Sequence, residues 1–180
     1  MKAEQPYIFT SARLGFRNWV LADIDKMYEI NSDELVMEFF PRCPTKQQTI
    51  DFIERMKAEY VNTGFCYFAV DILDDNTFIG FIGICKQTFE ADFTPCIDIG
   101  WRLSRSAWNK GFATEGAKRC LEYAKYDLKL EEIFAIAPKV NTKSERVMMK
   151  IGMSKLYEFE HPLLLNDERL RVCVLYKVML

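Results

Sequence analysis

The sequence predicts an α+β fold, a largely antiparallel mixed sheet of about seven strands with one parallel pair, flanked by about four helices. Three observations carry this. Residues 65–104 hold three consecutive strand-like runs joined by short turns, an antiparallel meander. A strand, a helix and a further strand follow one another between 96 and 137, and such a unit sets its two strands parallel. The remaining apolar residues recur at helical spacing, which supplies helices to cover the sheet.

The elements follow in order. Arg13 to Arg17 (RLGFR) alternates and forms a short first strand. A helix begins near Asp23, with Leu21, Ile24, Met27 and Tyr28 as its apolar face. The second helix starts at Thr45, where Thr45 and Gln48 stand at capping-box spacing, and Gly64 supplies a left-handed stop. Then the period changes to two. Phe65 to Asp71 is a strand, Asp74-Asp75-Asn76 a turn, Thr77 to Phe89 a long strand, Asp92 to Pro95 a turn, and Cys96 to Ser104 (CIDIGWRLS) a strand. Ala113, Ala117, Cys120, Leu121 and Ala124 make the stripe of a third helix ending near Tyr126. Glu132 to Ala137 (EIFAIA) is the next strand, followed by a short helix from about Thr142 to Lys150, stopped by Gly152. Two strands, near Ser154 to Phe159 and Leu170 to Val178, complete the chain.

The 180 residues fit a single domain, taken as 1–180, with no repeat or linker. Apolar residues make up 49% and charged ones 28%, a globular composition. A net charge of −2 leaves no basic footprint, which argues against a nucleic-acid partner. Cysteines at 43, 66, 85, 96, 120 and 173 form no C-x-x-C, and a single histidine completes no usual zinc pattern, so no metal is expected. Thiols such as Cys85 in FIGIC sit in apolar runs and are expected as reduced core residues of a cytoplasmic protein. The opening MKAEQPYIFT has no signal-peptide core, and the apolar run Phe78 to Cys85 falls far short of the ~20 residues a spanning helix needs, so no membrane is expected.

Chemistry concentrates in AWNKGFATEG, residues 107–116. A strand ending near Leu103 and a helix beginning at Gly111 or Phe112 gather unpaired N–H groups at the positive end of a helix dipole, an anion site. Gly111 lets backbone approach an oxygen, Ala113 keeps that approach open, and Lys110 adds charge. Lysine precedes the glycine here, so the G-x-x-x-x-G-K-[ST] phosphate loop is excluded, as is G-x-G-x-x-G. Spacing alone leaves a plain structural turn open as well.

The segment from Asp98 to Gly116, DIGWRLSRSAWNKGFATEG, resembles the acyl-CoA-binding signature of the GNAT superfamily of N-acetyltransferases, a strand followed by Q/R-x-x-G-x-G/A opening a helix. Trp108 stands where Gln or Arg is usual, a departure similar to the branch of Rim-type ribosomal-protein N-terminal acetyltransferases. SARLGFRNW near the start, FIGFIGI, Asn141-Thr-Lys-Ser144, Gly152-Met153, EHP at 160–162 and VLYKV at 174–178 resemble that branch in order, so the likeness spans nearly the whole chain.

The resemblance implies a GNAT-type fold whose parallel strands, CIDIGWRLS and EIFAIA, splay apart to admit acetyl-CoA as cosubstrate. It implies that Trp101, Arg102 and Leu103 run along the pantetheine arm, that Asn109, Lys110, Gly111, Phe112, Ala113 and Thr114 hold the pyrophosphate, and that Asn141 contacts the pantetheine. Ser144 would steady or protonate the thiolate; many relatives place a tyrosine seven residues past the Asn, but Met148 stands there. The expected activity moves an acetyl group to a primary amine, a peptide N-terminus or a small molecule, by direct transfer in a ternary complex. The alternative is a catalytically silent acyl-CoA-binding protein.

Such transfer needs a deprotonated amine, a polarised carbonyl and a proton for the departing thiolate. An α-amine with a pKa of ~7.7 to 8.0 is already partly neutral near pH 7, unlike a lysine at ~10.4. Asp98, on the strand leading to the cradle, is the candidate base, with Glu38, Glu158 and His161 behind it. Trp19, Phe39 and Phe40 either shape the acceptor pocket or pack in the core. VCVLYKV is expected as an exposed strand, free to pair or be covered, so monomer and homodimer both stand.

Overall fold

The computed structural model describes residues 7–180; the first six residues of the opening MKAEQPYIFT lie outside the described residues. The strands are β1 (Phe9–Thr10), β2 (Leu14–Arg17), β3 (Tyr67–Ile72), β4 (Thr77–Gln87), β5 (Cys96–Leu103), β6 (Glu132–Pro138), β7 (Ser154–Glu160) and β8 (Val172–Met179). The helices are α1 (Asp23–Asn31), α2 (Lys46–Thr63), α3 (Phe112–Tyr126) and α4 (Thr142–Lys150). The strands form one sheet in the order β1-β2-β3-β4-β5-β6-β8-β7, antiparallel throughout except between β5 and β6. The mixed α/β architecture expected from the sequence, a largely antiparallel sheet with one parallel pair and four helices, is present, with one strand more than anticipated, because the two residues of β1 are too few to show a period.

Local signals set several boundaries. The Thr45 hydroxyl accepts from the Gln48 N–H while the Gln48 side chain accepts from the Thr45 N–H, a complete capping box, and α2 ends at Gly64 with φ 81°. No side chain caps α1; its first residue, Asp23, is held by the Val20 N–H and by Arg17, which in turn reaches the distant Asp71. Arg17 donates to Asp23 at 2.7 and 2.9 Å and to Asp71 at 2.6 and 2.9 Å, all three residues being buried. The helix therefore begins with Asp23 turned inward and rests on Met27 and Ile30. Leu21, expected on that apolar face, sits in the preceding turn at 77% exposure.

A second correction concerns the edge. VCVLYKV, expected as an exposed strand, pairs with β6 on one side and β7 on the other. The edge strand on that side is β7, whose residues are almost all exposed. Order within a sheet depends on long-range pairing, which alternation in one strand does not encode.

The two sheet faces are covered by different helices. On one face α3 lies so close that a Cβ on Gly116 would fall 2.3 Å from Ile82, with Leu14 and Phe16 adjacent. On the other, Trp19, ahead of α1, packs on Phe78 and Phe81, and Phe52 of α2 packs on Trp19 and Phe81. Among the described residues no helix is long and apolar enough to cross a membrane.

Candidate functional site

β5 and β6 share a single register pair, Asp98 with Phe134, and diverge beyond it. The phase of the β4–β5 ladder decides what the divergence exposes. Ser104 N–H donates to the Ile79 carbonyl, so the even-numbered residues of β5 turn both backbone groups toward β4. The odd-numbered Ile99, Trp101 and Leu103 turn theirs toward the gap. The Leu103 carbonyl already accepts from Trp108 Nε1 at 2.9 Å, which leaves the N–H of Trp101 and Leu103 as the donors on that edge. Arg102, grouped with them by the sequence, turns its backbone to β4 and its side chain to the α1 face, where Nη1 donates to Asn31 Oδ1 at 2.7 Å.

At the end of β5 the chain turns through Asn109 (φ 59°) and Gly111 (φ 80°), two left-handed residues around Lys110. No side chain caps α3. Its first internal bond is Glu115 N–H to Gly111 O at 3.0 Å, so the amides of Phe112, Ala113 and Thr114 precede the hydrogen-bonded helix and point from its positive end. Asn109, Lys110 and Gly111 are exposed and Ala113 and Thr114 half-buried. Arg13, which the sequence shows only as a strand residue, is a cation beside this cradle. Its guanidinium lies 4.5 Å over the Phe112 ring, and Nη2 would sit 3.5 Å from a Cβ on Gly111. Glu115 accepts from Ser11 Oγ at 2.7 Å and from the Arg13 N–H at 2.8 Å, clamping the first turn of α3 to the β1–β2 turn.

The N-terminus of α4 meets the same loop, with Lys143 Nζ 5.0 Å over the Trp108 ring. Asn141 Oδ1 accepts from the Ser144 N–H at 3.1 Å and caps α4, so its NH2 is the end available to a ligand. Ser144 is half-buried, and its hydroxyl makes no hydrogen bond among the described residues. Met148 is 2% exposed and belongs to the core.

On the α1–α2 face, Asp98, Gly100 and Arg102 share one side of β5. The Tyr67 hydroxyl donates to Asp98 Oδ1 at 2.6 Å, and Gln87 Nε2 donates to Asp98 Oδ1 and to Tyr67 Oη, each at 3.0 Å. Tyr67 stacks on Phe81 at 5.2 Å and fits because Gly100 has no side chain, since a Cβ there would fall 3.1 Å from the ring. Burial pushes the Asp98 carboxyl up to about 6, against the pull of the Tyr67 and Gln87 hydrogen bonds. Burial, with Asp98 beside it, also pushes the Tyr67 hydroxyl well above its ordinary value, so Tyr67 stays a donor. A carboxylate that changes protonation near neutrality beside a cleft is suited to take a proton. Sequence reasoning does not single out Tyr67, because its partner lies 31 residues away.

The other candidates fall elsewhere. Glu158 on β7 is paired with Lys139 and Lys155 at 2.8 Å each, which hold its carboxyl below the usual range. His161 Nδ1 accepts from the Leu163 N–H at 3.2 Å, capping a short turn, and its ring lies 4.4 Å from Phe89. Glu38 lies 3.9 Å from Lys143, near the α4 terminus. Trp19 is 3% exposed and donates to the Tyr67 carbonyl at 2.7 Å, a core role; Phe39 is half-buried and Phe40 covers the Arg102 guanidinium at 4.2 Å.

Comparison with known proteins gives four concordant likenesses. The profile of the acetyltransferase (GNAT) domain matches residues 13–154. YnaD of Bacillus subtilis, described as an uncharacterized N-acetyltransferase, is 32% identical over 147 residues, which cover 81% of this chain and 82% of that one. The crystal structure of a GNAT-family acetyltransferase from Bacillus anthracis superposes with a TM-score of 0.79 at 27% identity, over 94% of this chain and 96% of that one. RimL, a ribosomal L7/L12 alpha-N-protein acetyltransferase solved in complex with coenzyme A, superposes with a TM-score of 0.78 over 97% and 98% of the two chains; at 11% identity this is a likeness of fold.

Proposed function

The chain belongs to the GNAT acetyltransferase family, and from that premise we propose that it is an acetyl-CoA-dependent N-acetyltransferase of the Rim-type branch, a single domain over residues 1–180. Its acceptor is a primary amine, of a peptide N-terminus or a small molecule, acetylated directly in a ternary complex. It acts in the cytoplasm as a monomer or homodimer. Trp108 and the EHP at 160–162 support the branch. One observation carries the activity. An uncapped helix start and an open strand edge adjoin at the end of β5, and the same strand carries Asp98 on its opposite face.

The residues fit the cosubstrate. The free amides of Phe112, Ala113 and Thr114, with Lys110 alongside, match a diphosphate; the Arg13 guanidinium nearby is paired with Glu115 at 2.6 Å. The Trp101 and Leu103 amides offer strand-like pairing to the pantetheine, joined by the Asn141 NH2. The cosubstrate supplies a thioester carbonyl. From this chain, the edge amides of β5 donate to the carbonyl oxygen, Asp98 takes the amine proton, directly or through water, and Ser144 Oγ–H steadies the thiolate by a hydrogen bond, or passes it a proton that water restores to Oγ.

Thiol release from acetyl-CoA with a panel of peptide and small-molecule amines tests the reading, with Ser144→Ala as the control. Turnover of at least one amine is expected. If acetyl-CoA binds and no amine consumes it, the protein is an acyl-CoA-binding protein and the enzymatic reading is wrong.

A further inference from the structure

Two arginines are drawn into the sheet on the α1 side, and they are treated differently. Arg17 is met by two carboxylates, Asp23 and Asp71. Arg102 has none: among the described residues it enters no ion pair, and its one hydrogen bond runs from Nη1 to the neutral Asn31 amide. Its Nε is fully buried without an acceptor, and Nη2 has no acceptor either. Burial lowers its pKa to about 10, opposed only by Tyr67.

The guanidinium is nevertheless held firmly. Its carbon lies 4.2 Å from the centre of the Phe40 ring and 5.4 Å from that of Phe81. Asn31, which takes Nη1, donates in turn to Thr49 Oγ1 at 2.9 Å, and Thr49 donates to the Thr45 carbonyl at 3.2 Å. The chain of bonds turns the Nε–Nη2 edge away from Asn31. Nη2, neither enclosed nor bonded among the described residues, is the donor left to a ligand, and a carboxylate is the anion that suits a guanidinium. The side chain lies on the face of β5 that also carries Asp98, opposite the face covered by α3. A half-buried, pre-oriented cation whose Nε is enclosed and which has no anion is costly to keep, and its cost is offset when a ligand brings the anion.

We propose that Arg102 is a specificity-determining residue that receives a carboxylate of the acceptor, so that the preferred substrates are amines carrying a carboxylate several bonds from the reacting nitrogen. The separation follows from the strand. Asp98 and Arg102 are four residues apart, about 13 Å between Cα atoms at ~3.3 Å per residue. An α-carboxylate directly beside the reacting amine is too close to engage both. The carboxylate belongs either to a small amino acid acetylated on a distant nitrogen or to an acidic side chain of a peptide. The assignment rests on the amine-acetyltransferase reading above.

Two matched pairs of acceptors distinguish the sources: lysine against cadaverine, which differ by the carboxylate, and a peptide with Asp at its second position against the same peptide with Asn. The wild type is expected to favour the carboxylate-bearing member of one pair at least tenfold in kcat/KM. In Arg102→Gln the ratio falls toward one through a raised KM, and Arg102→Lys retains part of it. Equal ratios in wild type and variants, or no discrimination by the wild type, overturn the proposal. A binding measurement stands apart from turnover: glutarate, a dicarboxylate without an amine, should raise the Tm of the wild-type protein with CoA but not that of Arg102→Gln. Should no amine be acetylated, the glutarate shift alone decides, and its absence from the wild type rejects the role. CoA titration of the variants verifies that they are folded.

Discussion

The Tyr67 hydroxyl donates to the Asp98 carboxylate at 2.6 Å, from a ring wedged against Gly100 and stacked on Phe81. This bond pulls the Asp98 pKa down against burial, which sets it at about 6. Tyr67→Phe removes the pull, so the acidic limb of kcat/KM, expected near pH 6, should move to higher pH. Asp98→Asn should abolish that limb and lower the rate by roughly 10²–10⁴-fold, the usual contribution of a positioned base. A limb that persists unchanged in Asp98→Asn would assign the titration to another group.

The same carboxyl makes stability depend on pH. Folding raises its pKa from 3.8 to about 6, so the folded state holds the proton more tightly than the unfolded one. The resulting stabilisation is fully present below about pH 4, declines as pH rises through about 6, and is absent above. Asp98→Asn should therefore gain on the order of 2–3 kcal/mol relative to wild type between pH 4 and pH 8, since each pH unit separating the folded and unfolded titrations is worth about 1.36 kcal/mol. Urea unfolding at the two values measures it, and a difference independent of pH would contradict the assignment.

Gly111 holds φ 80° at the start of α3, where a side chain is strained even though space exists. Gly111→Ala should cost about 1–2 kcal/mol of stability. Because it also crowds the amides of the first turn, CoA affinity measured by calorimetry should fall severalfold. Unchanged affinity would remove the cradle from the binding site.

Ser144 and Asn141 separate by chemistry. Asn141 Oδ1 bonds the Ser144 backbone, so Ser144→Ala keeps the helix cap and loses only the hydroxyl. Its expected signature is a lower kcat with an unaltered KM for acetyl-CoA. Asn141→Ala should instead lose about 1 kcal/mol from the cap and weaken CoA binding. Identical kinetic profiles for the two variants would argue against separate roles.

Arg17 neutralises two buried carboxylates, and Arg17→Met strands both. The loss should be about 3–5 kcal/mol in chemical unfolding, the usual penalty for removing one member of a buried ion network. A loss below about 1 kcal/mol would mean that water reaches Asp23 and Asp71.

How much of this is legible in the sequence depends on range. The capping box at Thr45 and Gln48 and the stop at Gly64 are local chemistry, and they appear where the spacing puts them. The helix start after Lys110-Gly111 is legible for the same reason. Leu21 departs from its pattern because the start of α1 is dictated by Arg17, whose bond to Asp71 spans 54 residues. VCVLYKV departs from its expected place because nothing within the strand says which neighbours it takes. The roles of Tyr67 and Arg102 are invisible because both arise where β3, β4, β5 and the segment after α1 converge, and no single segment carries that meeting in its pattern.

The lone Asp98–Phe134 rung has a mechanical meaning. On one side of it stand β1 to β5, on the other β6, β8 and β7, each block laced by its own antiparallel ladders. The two blocks share one backbone rung, while a common apolar core joins them beneath the sheet and α3 links β5 to β6 in sequence. A ligand whose amides pair along the β5 edge acts as a splint for this joint. Occupancy and stiffness are then one property, and amide exchange in β5 and β6 becomes a gauge of how well the splint is seated.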